Sequence, residues 1–210
     1  MIAAATPAEH DAVVALIAAE QAHPERAITY LGTDLEGIRL ELDGVAVGWT
    51  SALHVAHDDD GSLVGAAFAD WDVETGRAWI HGPWVAGDDG AWSRWARPLV
   101  DAVRAQLPPE VRDLELCGET VNTRLAALAG ELGWPATEVN HAYRVTAERA
   151  AAWPAPSFGG ELRDLAADDV AAIRSLHDAE FPATYLPAER IASEAASGDP
   201  QRSSRRSTVR

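Results

Sequence analysis

The polar and apolar positions of this chain change period along its length, and the period predicts the elements. Near the N-terminus, Val13, Leu16 and Ile17 recur at helical spacing. They follow Thr6-Pro7-Ala8-Glu9, which combines capping-box spacing with proline at the first helical position. Residues 37–55 alternate instead around Asp43-Gly44, a dipeptide that supplies the positive φ angles of a tight turn, so strand, turn and strand are predicted. A second hairpin is predicted from Ser62–Asp70 and Arg77–Val85, which flank Glu74-Thr75-Gly76, making the strands a meander.

The polar loop Ala86-Gly87-Asp88-Asp89-Gly90 leads into a segment with Trp92, Trp95, Leu99, Val103 and Leu107 on one helical face, ended by Pro108-Pro109. A short strand at Val111–Cys117, a helix over 122–132 closed by Gly133, and a last strand at Thr137–Val145 complete the series. The predicted order is helix, four strands, helix, strand, helix, strand. It implies an α/β (α+β) domain over 1–147, with a mixed, mostly antiparallel sheet flanked by helices.

Residues 148–160 contain AAAWPAPSFGG, rich in Pro, Gly and Ala, and read as a linker. The next helix can be laid on the first at an offset of 160. Glu9 then pairs with Asp169, Val13 with Ile173, Leu16 with Leu176, and Glu20 with Glu180. Residues 161–196 thus read as the opening of a partial second copy, with chance similarity between two alanine-rich amphipathic helices as the alternative. After Ala196 the apolar periodicity stops, and the basic tail 197–210 is expected to be disordered or a frameshifted end.

Composition sharpens this picture. The length, 210 residues, is about 1.4 times a common domain size of roughly 150, which suits one whole domain and the beginning of another. Hydrophobic residues at 47% leave enough for a core and are too many for a disordered chain. No apolar run approaches the roughly 18–20 residues of a bilayer span, and Glu9 and Asp11 stand where a targeting peptide has a basic region. A cytoplasmic protein with no membrane partner is expected. Cys117 is the single cysteine, so an internal disulfide is excluded, and in an apolar strand it reads as inert packing. All 17 basic residues are arginine, against 33 acids. Residues 1–198 carry a net −19 and residues 199–210 a net +3, so the body repels polyanions and a nucleic-acid partner is not expected.

In Val111–Trp134 (VRDLELCGETVNTRLAALAGELGW) a strand leads into Asn122-x-Arg124, then Leu128, and closes with Leu132-Gly133-Trp134. The segment resembles the strand and N-x-R-A-x-x-L-Y-x-x-L-G-F helix of the GNAT superfamily of acyl-CoA N-acyltransferases. Leu162–Ile191 (LRDLAADDVAAIRSLHDAEFPATYLPAERI) resembles the opening strand and helices of another member, so the whole is similar to a tandem GNAT protein whose second domain is truncated.

The resemblance implies central strands that splay to admit the pantetheine arm of acetyl-CoA. Backbone donors at Trp84, Val85 and Ala86 would orient the thioester, and a loop of pattern Q/R-x-x-G-x-G/A would bind the pyrophosphate at a helix N-terminus. That loop falls on Ala91-Trp92-Ser93-Arg94-Trp95-Ala96, so Trp92, Ser93, Arg94 and Ala96 are the implied cofactor-binding residues, with Asn122 from the following helix. Only Ala96 matches the pattern. Asp88 and Asp89 bring like charge close to the phosphates, and the tyrosine with which the family protonates the leaving thiolate is Ala129 here.

Other residues allow two readings each. His54-x-x-His57-Asp58-Asp59-Asp60 has the donor types of a metal site, but Asp60-Gly61 is a sufficient hairpin turn and no metal is expected. His81, in the strand before the phosphate-type loop, is a candidate base for an amine proton or else a core histidine. Trp71, Trp79, Trp84, Trp92 and Trp95 could stack on a ligand or fill the core. Arg94 and Arg97 could replace the missing glycines by binding phosphate, or face solvent. No P-loop, nucleophile elbow or paired-cysteine zinc motif occurs.

Two functions follow from the resemblance. One is transfer of an acetyl group from acetyl-CoA to a primary amine on a small molecule or peptide. The other is an inert GNAT-like domain that serves as a structural or acceptor-binding partner, for instance through a homodimer surface.

Overall fold

The computed structural model describes residues 1–28, 31–137, 139, 145–154, 163, 166–181 and 188–196. It divides into two compact units, Met1–Glu138 and Val139–Arg210.

The first unit has an α+β architecture. Strand β1 (Ile2–Ala4) is followed by helices α1 (His10–Gln21) and α2 (Leu35–Asp43). Then come strands β2 (His54–His57), β3 (Leu63–Asp72) and β4 (Arg77–Val85), helix α3 (Asp89–Arg104), strand β5 (Asp113–Leu116) and helix α4 (Thr123–Glu131). The five strands lie in sequence order in one sheet. Neighbours from β1 to β4 run antiparallel, and β5 joins β4 in parallel, with α3 as the crossover between them.

The sequence signals at element ends are met by local hydrogen bonds. Glu9 Oε2 accepts from the amide and hydroxyl of Thr6, each at 2.7 Å, and the Pro7–Glu9 turn leads straight into α1. Val13, Val14 and Ile17 of α1 are buried against the sheet, each contributing roughly 1.5–3 kcal/mol by leaving water. The β4 boundaries agree with those read from the sequence. The β3–β4 turn places Gly76 at a φ of 69°, where a Cβ would be strained. In α3, Trp95, Leu99 and Val103 are buried as their spacing predicts. Trp92 is only half-buried, and Leu107 lies beyond the helix end.

The hairpin expected over 37–55 is not formed. Those residues contain α2, capped by Asp34, whose side chain accepts from the Gly37 amide at 2.7 Å, and then turns up to β2. Ile38, Leu40 and Leu42 satisfy period 2, but Ile38 and Leu42 also sit one helical turn apart. The core selects that pair: both are buried while Leu40 is 55% exposed. Strand β1 is an addition to the predicted elements. It is three residues long, too short for alternation to signal, and is defined by pairing with His54–Ala56. The last predicted strand, Thr137–Val145, the linker beyond Pro154 and the tail 197–210 fall almost wholly outside the described residues.

The second unit contains α5 (Ala147–Ala151), α6 (Val170–Glu180) and α7 (Ala188–Ala196). One local turn in it has a counterpart in the first unit. Pro7–Glu9 and Ala167–Asp169 are both single 3₁₀ turns leading into a helix, offset by 160. Asp169 Oδ2 accepts the Ala166 amide at 2.8 Å, as Glu9 accepts that of Thr6. The Arg163 guanidinium and the Ala166 amide together hold the Asp169 carboxyl down at about 2. No helix among the described residues is long and apolar enough to cross a membrane.

Candidate functional site

Among the described residues, β4 runs on beyond its pairing with β5. β4 pairs with β5 only over Arg77–Ile80, opposite Asp113–Leu116, where Arg77 and Glu115 also form an ion pair. The ladder ends at Ile80, and from Gly82 to Val85 β4 pairs with no described residue of β5. Its other edge stays on β3, with a register shift between Ala66 and Phe68 opposite Gly82-Pro83. Gly82 has a φ of 93°, and a Cβ there would lie 2.8 Å from the Trp84 ring, so the kink requires glycine.

This geometry separates the three predicted backbone donors. The Ala86 amide donates to Val64 O at 2.9 Å, so it belongs to the β3 ladder. Strand groups alternate between edges, which aims the Val85 N–H and C=O away from β3, toward the edge β5 has left. Trp84 contributes its side chain to the core. It is 1% exposed, and its indole N–H donates to Gln21 Oε1 at 3.2 Å.

His81 is a buried core histidine. Its ring lies parallel to Phe68, with centroids 4.4 Å apart, and burial lowers its pKa to about 3. At neutral pH the ring is uncharged and binds a proton weakly, which favours the core-histidine reading over the base.

At the start of α3, Asp88 Oδ1 accepts the Ala91 amide at 3.0 Å, so a carboxylate of the chain itself already occupies part of the helix N-terminus. Ser93 Oγ donates to Asp89 O at 2.8 Å, and Ala96 is buried. Arg94 is bound elsewhere. Its guanidinium pairs with Asp58 at 3.0 Å and Asp59 at 2.8 Å on the β2–β3 turn, and lies over the Trp95 ring. Arg97 pairs with Asp101 one turn along.

The cation that does reach this corner is Arg124, from the first turn of α4. It covers the Trp92 ring at 4.4 Å and stands 3.6 Å from Asp89. Its Nε and Nη2 are buried with no hydrogen-bond partner among the described residues. In the sequence, Arg124 stands within the Asn122-x-Arg124 motif with no role assigned to it. The available signal is its place in the first turn after a capping asparagine, since that turn faces the same end of the sheet as the start of α3.

Asn122 holds the fold. It is 3% exposed, its Oδ1 accepts the Leu125 amide and caps α4, and its Nδ2 donates to Ala27 O at 3.2 Å. Both polar ends are therefore engaged within the protein. His54 and His57 are committed as well, His54 to Ala52 O at 3.1 Å and His57 to Glu9 at 2.6 Å. Among the described residues no group of three or more His, Cys, Asp or Glu side chains could hold a metal. Trp84 and Trp95 are core residues, with Trp71 and Trp92 packed against that core. A surface groove of about 460 Å³ lies at the other end of β5, lined by Arg104, Pro108, Pro109, Val111 and Arg112.

The described elements define an α+β protein with an open-edged sheet. No protein-family model matches the chain, and no curated protein matches it. Among solved structures, a variant of TTHA1254 from Thermus thermophilus is similar over 70% of this chain and 97% of its own, at 16% identity and a TM-score of 0.44. That likeness is too slight to assign a fold family.

Proposed function

We propose that the first unit is a GNAT-like domain that takes acetyl-CoA at the free edge of β4 and passes the acetyl group to a primary amine on a small molecule or peptide. One observation carries the reading: the β4–β5 ladder ends at Ile80 while β4 runs on to Val85, whose amide faces an edge with no strand among the described residues. Further support comes from the segment that resembles the family, whose strand and helix are β5 and α4.

In this reading the amine nitrogen attacks the thioester carbonyl carbon, the C–N bond forms, the C–S bond breaks and CoA leaves as the thiolate. The amine proton passes to a carboxylate or water, and the thiolate takes a proton from solvent. The Val85 N–H donates to the carbonyl oxygen as negative charge develops on it, a preorganised donor whose loss costs about 3–4 kcal/mol in comparable sites. Arg124 supplies positive charge for the pyrophosphate near the start of α3. The acidic body, net −19 over residues 1–198, favours encounter with a cationic acceptor. The reading places the protein in the cytoplasm.

A second reading is favoured by the Asp88 cap on α3 and by the weak basicity of His81: a domain that keeps the fold without turnover, as a partner to a second domain begun at the repeated turn. Calorimetric titration of acetyl-CoA into the full chain, followed by thiol release with a panel of amines, separates the two. Binding with release supports transfer, and no heat at millimolar ligand, or binding without release, sinks transfer and leaves the inert partner.

A further inference from the structure

Three separate segments meet on one buried carboxamide. Gln21, the last residue of α1, is 1% exposed. Its Oε1 accepts the Ile28 amide at 2.7 Å and the Trp84 indole N–H at 3.2 Å. Its Nε2 donates to the carbonyls of Ile28 at 3.1 Å, Leu31 at 2.8 Å and Gly32 at 3.3 Å. Both acceptor positions and both donor hydrogens of the amide are thereby used. Ile28 in turn bridges Gly118, just past the end of β5, and the neighbouring Ala27 O accepts from the Glu119 amide and from Asn122 Nδ2. A continuous polar path therefore runs from β4 to the chain leaving β5, through Trp84, Gln21, Ile28 and Gly118.

We propose that Gln21 is a positioning residue that sets the separation between the outgoing end of β4 and the chain leaving β5, and with it the width of the acyl-CoA cleft. This rests on the reading given above for the first unit. Beyond Ile80 and Leu116 no ladder bonds join the two strands, so their spacing has to be held by other contacts. A carboxamide bonded on both sides is suited to that, because in a dry interior each of its bonds is strong and leaving any of them unmade is costly. Sequence periodicity gives no hint of this role, since position 21 simply ends a helix.

The test uses the full chain with three substitutions: Gln21→Met, which keeps length and removes every hydrogen bond of the carboxamide; Trp84→Phe, which removes one donor; and Val13→Ala, which loosens α1 in the core without touching the tether. Amide exchange is read at Glu119, which lies on the β5 side and whose amide donates to Ala27 O rather than to Gln21, and CoA affinity is read by calorimetry. After scaling to equal global stability, Gln21→Met is expected to exchange at Glu119 about tenfold faster than Val13→Ala and to bind CoA about tenfold more weakly, a difference of one decade in an equilibrium constant. Equal exchange at Glu119 in the two variants overturns the tether. If the wild-type chain binds no CoA, the cleft reading fails, while the exchange comparison still decides whether Gln21 spaces the strands. Should Gln21→Met not fold, Trp84→Phe is read in its place: faster Glu119 exchange supports the tether, and unchanged exchange overturns it.

Discussion

His57 Nε2 lies 2.6 Å from Glu9 Oε1, so the carboxylate that caps the first helical turn also holds the end of β2. Glu9 Oε2 meanwhile accepts from the Thr6 amide and hydroxyl. The two oxygens of one residue thus join a helix start to an inner strand of the sheet that is far away in sequence.

That arrangement gives a pH dependence. The Thr6 hydroxyl and amide, with His57, hold the Glu9 carboxyl below its ordinary value of 4.5. A carboxylate with a depressed folded-state pKa contributes stability that is present above the unfolded-state value and lost as pH falls through the folded one. Glu9→Gln should therefore cost about 1 kcal/mol at neutral pH, the usual size of a lost helix cap, and progressively less below about pH 4. Urea unfolding of both proteins at neutral pH and near pH 3 checks this. An equal cost at both would show that the charge plays no part.

His81 acts in the same direction through a different cause. Burial holds its pKa at about 3, whereas the unfolded chain takes up that proton near the ordinary value of 6.5. The unfolded state binds more protons between the two values, so stability rises with pH across that window, by up to about 1.4 kcal/mol per pH unit from this one ring. An NMR titration should find the His81 ring neutral down to about pH 4, and His81→Leu should flatten the acid limb of the stability curve.

The α2 helix can be tested against the hairpin its alternation suggests. Asp34→Ala removes the side chain that caps it and should cost about 1 kcal/mol, while Leu42→Ala should cost about 2–5 kcal/mol and Leu40→Ala under 1 kcal/mol. In a hairpin, Leu40 and Leu42 would face the same side and cost alike. Chemical denaturation of the three variants reads the difference.

Arg94 pairs with Asp58 and Asp59 across a surface where its side chain is 48% exposed. Arg94→Ala is expected to lose little stability at low ionic strength, because exposed pairs gain little over solvation. The loss should shrink in molar salt, where the screening length falls to about 3 Å. Thermal unfolding at two salt concentrations measures it, and a large, salt-independent loss would point to packing on Trp95 as the main role.

Much of the fold is legible where local chemistry decides structure. The caps made by Glu9, Asp88 and Asn122 and the turns at glycines 61, 76 and 133 involve neighbours within a few residues, and each stands where its type predicts. The candidate site is less legible. Trp84, Val85 and Ala86 read in sequence as one group of backbone donors, yet their groups point to different places because β3 takes the Ala86 amide and Gln21 takes the Trp84 indole. Arg94 reads toward the phosphates, and two aspartates of a distant turn claim it instead.

By itself the sequence determined the class of this protein: strands of alternating apolar residues, an amphipathic α3, helix caps and turns. These depend on hydrogen bonds and periodicities within one turn or hairpin. Only the tertiary structure decided between helix and strand at Ile38–Leu42, made Arg124 the cation beside Trp92, and joined Gln21 to Trp84. Those outcomes turn on which groups are buried together, and burial depends on residues brought from distant parts of the chain.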